Sequence, residues 1–321
     1  MAELRIRTAR HTVRVAAPPK RVFQLITDAH RWPQVFDLVV SAEHLSFSGG
    51  TETVRLWELI DGQVQSYVSH REASAHRLQL RFRHDEAPEP ITSMGGVWLV
   101  LPKGNGSLVA LDHYYRVAGD DATAAECAGL AVEQSSVAML TALREVAELD
   151  GDLDRLWVSG TDSVDIDGDA GDVYEFLARA HDWPQRLPHV HRLTVDEEVF
   201  DIQHLEAQIR LPNGSLHATS TVRVCFPEMR IVYKMTRPPA IMRAHTGTFT
   251  VAAHGHGVRA TAHNTVLLHR ERFTELLGEQ STVEDARAAV REVLRTISLS
   301  TLGRAKGFAE ARRPTWVEGA A

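Results

Sequence analysis

Two cysteines in 321 residues, Cys127 and Cys225, are too few for a disulfide framework or a thiolate metal centre. They do not occupy equivalent places in the chain and read as unpaired core thiols of a reducing compartment. No apolar run is long enough to span a bilayer, and no basic-then-apolar leader opens the chain. The expectation is therefore a cytoplasmic protein with no membrane partner. Basic residues are not in excess either. A formal net charge of −7 disfavours nucleic acid as a partner, because phosphate binding needs clustered lysine and arginine. No Gly-x-Ser-x-Gly elbow, Walker loop or dinucleotide fingerprint occurs, so those chemistries have no carrier here. What remains is an ordinary globular composition, 44% hydrophobic and 24% charged, without biased tracts.

What is present is a repetition. "HRWPQ" at His30 returns as "HDWPQ" at His181, 151 residues later. At the same offset "HTVRV" from His11 falls on "DSVDI" from Asp162, and "RVFQLI" from Arg21 on "DVYEFL" from Asp172. "GQVQSYVSHR" (Gly62 to Arg71) matches "GSLHATSTVR" (Gly214 to Arg223) with one residue of slip. "VALDHYYRV" from Val109 is matched to the "VRATAHNTVLL" run that begins at Val258, in the register that sets His113 on His263. A register held end to end means two domains, residues 1–150 and 151–321, each of ordinary single-domain size.

Within the first copy, "TVRVAA" alternates as a strand. "PPKRVFQLITDA" then starts a helix at its prolines, and "HRWPQVF" reads as a second short helix. Six strand-like runs follow, from "VVSAEHLSF" to "SLVALDHYYRV", separated by Gly-Gly, Asp-Gly and "KGNG" turns that suit an antiparallel meander. A long helix closes the copy, with Leu130, Val137, Leu140 and Leu143 at helical spacing. The second copy repeats the order and ends in a helical stretch from about Thr274 to Glu310. Leu149 to Gly160 reads as the linker, and "RRPTWVEGAA" as a frayed tail. The fold class is α+β: two tandem domains, each a curved antiparallel sheet wrapped around a long C-terminal helix.

Trp-Pro after the first helix, the "YVSHR" strand and the closing helix resemble the helix-grip fold of the START and Bet v1-like superfamily. More narrowly, the duplicated chain is similar to the two-domain polyketide aromatase/cyclases of bacterial type II polyketide synthases. The resemblance covers essentially the whole chain. It implies a deep cavity between sheet and helix that holds a poly-β-ketone delivered on an acyl carrier protein by a minimal polyketide synthase. Catalysis there is aldol ring closure and dehydration, with no cofactor.

Arg71 matches the strand arginine that the family uses in its pocket, where a planar cation can hold a ketone or enolate oxygen. His113 lies on the more apolar stripe with Leu111, Tyr115 and Val117 and is the candidate general acid/base. Trp32, Tyr67 and Trp98 are expected to line the cavity. The family's reactive tyrosine after Trp-Pro is missing, since Val39 stands near that place. Trp183, Arg223 and His263 are the substrate-binding counterparts in the second copy. Either both pockets work or the second copy is structural or serves a later step; the first copy is preferred. Metal is not expected. "DIDGDAGDVYE" from Asp165 lacks the turn glycine and closing glutamate of a calcium loop, and suits a helix N-cap at Asp169 or Asp172. "HVH" at His189 and "HGH" at His254 lack a carboxylate frame. The rival function is a non-catalytic carrier of a hydrophobic small molecule, which the same fold also supports.

Overall fold

The computed structural model of the chain describes residues 5–149, 151 and 153–313. It separates into two compact units, Met1–Gly151 and Asp152–Ala321. In the first, β1 (Arg7–Val15) leads into α1 (Pro19–Thr27) and α2 (Trp32–Val35). A meander follows: β2 (Val39–Ser48), β3 (Thr51–Ile60), β4 (Gln63–Ser74), β5 (Gln79–His84), β6 (Ile91–Lys103) and β7 (Gly106–Val117). The helix α3 (Ala122–Ala147) ends the unit. The sheet order is β1-β7-β6-β5-β4-β3-β2, so the first strand closes on the last. Asp61 and Gly62, both at positive φ, make the β3–β4 hairpin turn the sequence predicts.

The second unit repeats this with β8 (Trp157–Ile166), α4 (Ala170–Ala178) and α5 (Trp183–Arg186). Its meander is β9 (Val190–Val199), β10 (Ile202–Arg210), β11 (Leu216–Phe226), β12 (Arg230–Arg237), β13 (Met242–His254) and β14 (Gly257–Leu268). Two helices follow, α6 (Arg270–Leu277) and α7 (Val283–Glu310), where one was expected. The break falls at Gly278, whose φ is +109°, and α7 starts afresh at a capping box of Thr282 and Asp285. Asp169 caps α4 through Gly171 N, as expected. The expected linker is shorter than read, because Trp157 to Gly160 already belong to β8. The tail beyond Arg313 lies outside the described residues.

Each long helix is pinned at its end by one carboxylate. Glu148 accepts a hydrogen bond from Ala16 N at 2.7 Å, and Glu310 accepts one from Asp167 N at 3.0 Å. The buried face of α3 runs through Ala128, Val132, Ser136, Leu140 and Leu143. Leu130 and Val137 are exposed instead, because two residues' advance along a helix turns a side chain about 200° away from Ala128 and Ser135. Cys127 is likewise exposed rather than core, whereas Cys225 is buried.

One glycine shapes the concave face. A Cβ on Gly96 would stand 2.5 Å from Phe82 Cζ and 2.3 Å from the Asp112 carbonyl oxygen. Its absence lets the β5 aromatic lie across β6 and touch the residue on β7. Gly247 does the same for Tyr233. Gly96→Ala is expected to destabilise the chain by about 1–3 kcal/mol, from overpacking, as read by urea denaturation.

Candidate functional site

The repeated tryptophan and the strand arginine form one assembly. Arg71, on β4, is 1% exposed and donates from Nη2 to the carbonyls of Ile26 (2.8 Å) and Thr27 (3.3 Å) at the C-terminal end of α1. Its Nη1 meets Glu52 on β3 at 3.0 Å. Trp32 donates from its indole nitrogen to the Ile26 carbonyl at 3.1 Å, and its ring lies 4.5 Å from the guanidinium carbon. Helix carbonyls at a C-terminus attract a cation, and an aromatic face adds to that attraction. Burial lowers the Arg71 pKa to about 10, with Glu52 opposing the shift, so the side chain stays charged at neutral pH.

Beyond Trp32 opens a cavity of about 530 Å³, within the range that holds drug-sized ligands. Trp32, Tyr67, Trp98 and His113 line it. Arg71 does not, and this departs from the sequence-based expectation that it holds a substrate oxygen. Polar wall residues not singled out in the sequence include Glu58, Ser69 and His84. Alternation along β3, β4 and β5 sets them on the concave face with Leu56, Tyr67 and Phe82, and that alternation was legible. Tyr67 is held neutral, its pKa raised by burial, by the nearby Glu58 charge and by a hydrogen bond to that carboxylate.

His113 is buried with its imidazole against Phe82, ring centroids 5.6 Å apart. Ser136 of α3 fixes its tautomer. The serine hydroxyl donates to the Val132 carbonyl at 2.6 Å, so at 3.2 Å its oxygen accepts from His113 Nδ1–H. Nε2 is then the basic nitrogen, with no hydrogen-bond partner among the described residues. Burial lowers the pKa to about 4, helped by His11 and opposed by Asp112. At neutral pH the wall carries an uncharged imidazole with a free lone pair.

Comparison with known proteins agrees with this architecture. A family model described as polyketide cyclase/dehydrase and lipid transport matches residues 7–148. The granaticin polyketide synthase bifunctional cyclase/dehydratase of Streptomyces violaceoruber is 36% identical over 307 residues, 95% of each chain. The actinorhodin polyketide synthase bifunctional cyclase/dehydratase of Streptomyces coelicolor is 33% identical, covering 93% of this chain and 96% of its own. Among solved structures, the di-domain ARO/CYC BexL of the BE-7585A pathway superposes with a TM-score of 0.81 at 36% identity, covering 96% of this chain and all of its own. The chain belongs to the polyketide cyclase/dehydrase family. It is an aromatase/cyclase built of two tandem helix-grip domains.

The cyclase's second domain keeps the frame and changes the wall. Arg223 is 1% exposed, donates to the Leu177 carbonyl at 2.6 Å and stacks on Trp183 at 4.6 Å, and both residues line a cavity. That cavity measures only about 140 Å³. At the ladder positions of Glu58, Tyr67, His84 and His113 stand Ile209, Thr219, Met235 and Asn264. His263 is therefore not the counterpart of His113. Aligning the hairpin ends Gly106 and Gly257 moves the register by one, and His263 emerges on the convex face, bonded to Thr161. Asn264 accepts from Tyr233 Oη (2.6 Å) and from His245 Nε2 (2.9 Å), and donates to Ser298 (3.1 Å). These bonds fill both acceptor sites of Oδ1 and use one of the two Nδ2–H donors. Metal has no candidate either, since no group of three or more ligating side chains occurs among the described residues.

Two outcomes are expected of this cyclase in solution. Arg71→Met leaves Glu52 and two helix carbonyls without their donor and should cost about 3 kcal/mol by urea denaturation. Because burial holds His113 well below its unfolded pKa, the unfolded chain binds more protons between about pH 4 and 6.5. Stability should therefore fall as pH drops through that window. His113→Gln should flatten the slope by up to about 1.4 kcal/mol per pH unit.

Proposed function

We propose that the first domain carries the reaction: an acyl-carrier-bound poly-β-ketone, supplied by a minimal polyketide synthase, closes its first ring there and is dehydrated to the aromatic product. One observation supports this reading most directly, the neutral, tautomer-fixed His113 on the wall of a cavity of about 530 Å³. A methylene between two ketones is acidic enough for an imidazole to deprotonate. Nε2 takes that proton, the carbanion attacks a ketone carbon along the folded chain, and the new alkoxide regains the proton. The walls supply the fold of the chain, selecting one carbon pair among many of similar acidity. Arg71 acts as a positioning residue, holding α1 and Trp32 against the cavity rather than touching substrate. No electrons leave the substrate, so the reaction calls for no redox cofactor. The second domain, with its smaller and less ionisable wall, is a structural partner in this reading. A cytoplasmic site of action fits a partnership with a carrier protein.

Reconstitution with a minimal polyketide synthase, with and without a ketoreductase, tests the assignment. The wild type is expected to redirect spontaneous cyclisation, and His113→Gln to lower that turnover about 10²–10⁴-fold. Asn264→Ala is expected to leave the products unchanged while lowering the melting temperature. An unaltered product profile with the wild type in both settings would leave a ligand carrier instead.

A further inference from the structure

The cavity holds a second imidazole to which the reaction as described gives no part. His84, the last residue of β5, lines the wall with His113. Both rings pack against Phe82, at centroid distances of 5.2 and 5.6 Å. Tyr67 packs edge-on against His84 at 4.5 Å and fixes its plane.

His84 does little for the fold. Its Nδ1 is buried without a hydrogen-bond partner, and neither ring nitrogen bonds to any described residue. An unpaired buried polar group costs stability, so the frame alone gives no reason for an imidazole at this place. The second domain supports the same conclusion. It retains the arginine, the tryptophan, the helix serine and the glycine of the shared frame. Yet it replaces His84 by Met235 and His113 by Asn264. The two imidazoles are present together or absent together.

Resting on the reading above, we propose that His84 is the second proton-transfer group of this cavity, serving dehydration as His113 serves ring closure. Cyclisation and aromatisation move two protons from one methylene carbon to one ketone oxygen. The first passes through His113: the C–H bond breaks, the C–C bond forms, and the alkoxide becomes a hydroxyl. The second lies on the same carbon, which ring closure has reoriented within a fixed cavity. His84 takes that proton as the C–O bond breaks and the C=C bond forms. The departing hydroxide then takes the proton from the imidazolium and leaves as water. Two bases at separate positions beside Phe82, one on β5 and one on β7, serve the two departures within one cavity. His113, Asp85 and Tyr67 are the titratable groups beside His84, and Glu58, Asp61 and Glu89 share its cavity wall. Burial, helped by His113 and opposed by Asp85, brings the His84 pKa to about 3, so the ring rests neutral and ready to accept.

Single-turnover reactions of the full chain with His84→Phe test this. The folded variant should keep the wild-type melting temperature or exceed it. It should still close the ring, and accumulate the cyclised aldol that retains its water, with formation of the aromatic product slowed about 100-fold. Wild-type dehydration by a folded His84→Phe overturns the assignment and leaves the role of His113 standing. Equal loss of ring closure and dehydration, or failure to fold, overturns it too, because either makes His84 a shaping residue. Absence of ring closure by the wild type itself would instead sink the reading of the first domain.

Discussion

A guanidinium buried under a tryptophan holds each domain together at its least regular point. The short helices between the first and second strands have no sheet partner, and their ends leave carbonyls that no backbone donor reaches. Arg71 and Arg223 supply donors from the neighbouring strand, and Trp32 and Trp183 cover them from the other side. Taking a cation out of water is costly, and three weak attractions offset it: carbonyl hydrogen bonds, the negative helix end and the ring face. In the first domain Glu52 adds an opposite charge. The repeated Trp-Pro segment follows from this, since proline starts the short helix that swings the indole over the arginine.

The duplication separates frame from chemistry more sharply than one domain could. Arginine, tryptophan, glycine under the aromatic, serine on the long helix and the glutamate at its end hold the same places in both copies. Such shared residues are explained by folding. Those that differ are explained by what each cavity must contain. On α3, Ala131 and Ser135 are small, whereas Val293 and Ile297 occupy the corresponding turns of α7 and fill space. That substitution of volume goes far towards explaining a cavity of about 530 Å³ in one copy and about 140 Å³ in the other.

Much of the architecture was legible in the sequence, because strand alternation, hairpin glycines and a 151-residue repeat are local or pairwise signals. His113 was placed on the more apolar stripe of its strand by that alternation, whereas Trp32 was placed by the family resemblance. What escaped depended on direction and register. Arg71 was expected in the pocket by resemblance, and alternation says nothing of what its long side chain reaches. His263 was misassigned by a single residue of slip, which on a strand exchanges concave for convex. Leu130 and Val137 show the helical counterpart. A stripe of alanine and serine beat two larger apolar side chains for the inside, because the cavity beneath needed room rather than bulk.

Burial is what makes neutral bases out of ordinary histidines. An exposed imidazole is part protonated near neutrality and spends part of its time unable to accept. Within this wall the charged form is disfavoured, so His113 and His84 both wait as lone-pair donors. The same penalty gives the transient imidazolium a strong tendency to return its proton. It therefore acts as a better acid towards an alkoxide or a departing hydroxide than its exposed counterpart would. A low resting pKa does cost basicity, and the acidity of a methylene between two ketones offsets that loss. The substrate's own chemistry thus sets how dry the wall can be, and a less acidic carbon would need a wetter or carboxylate-paired imidazole.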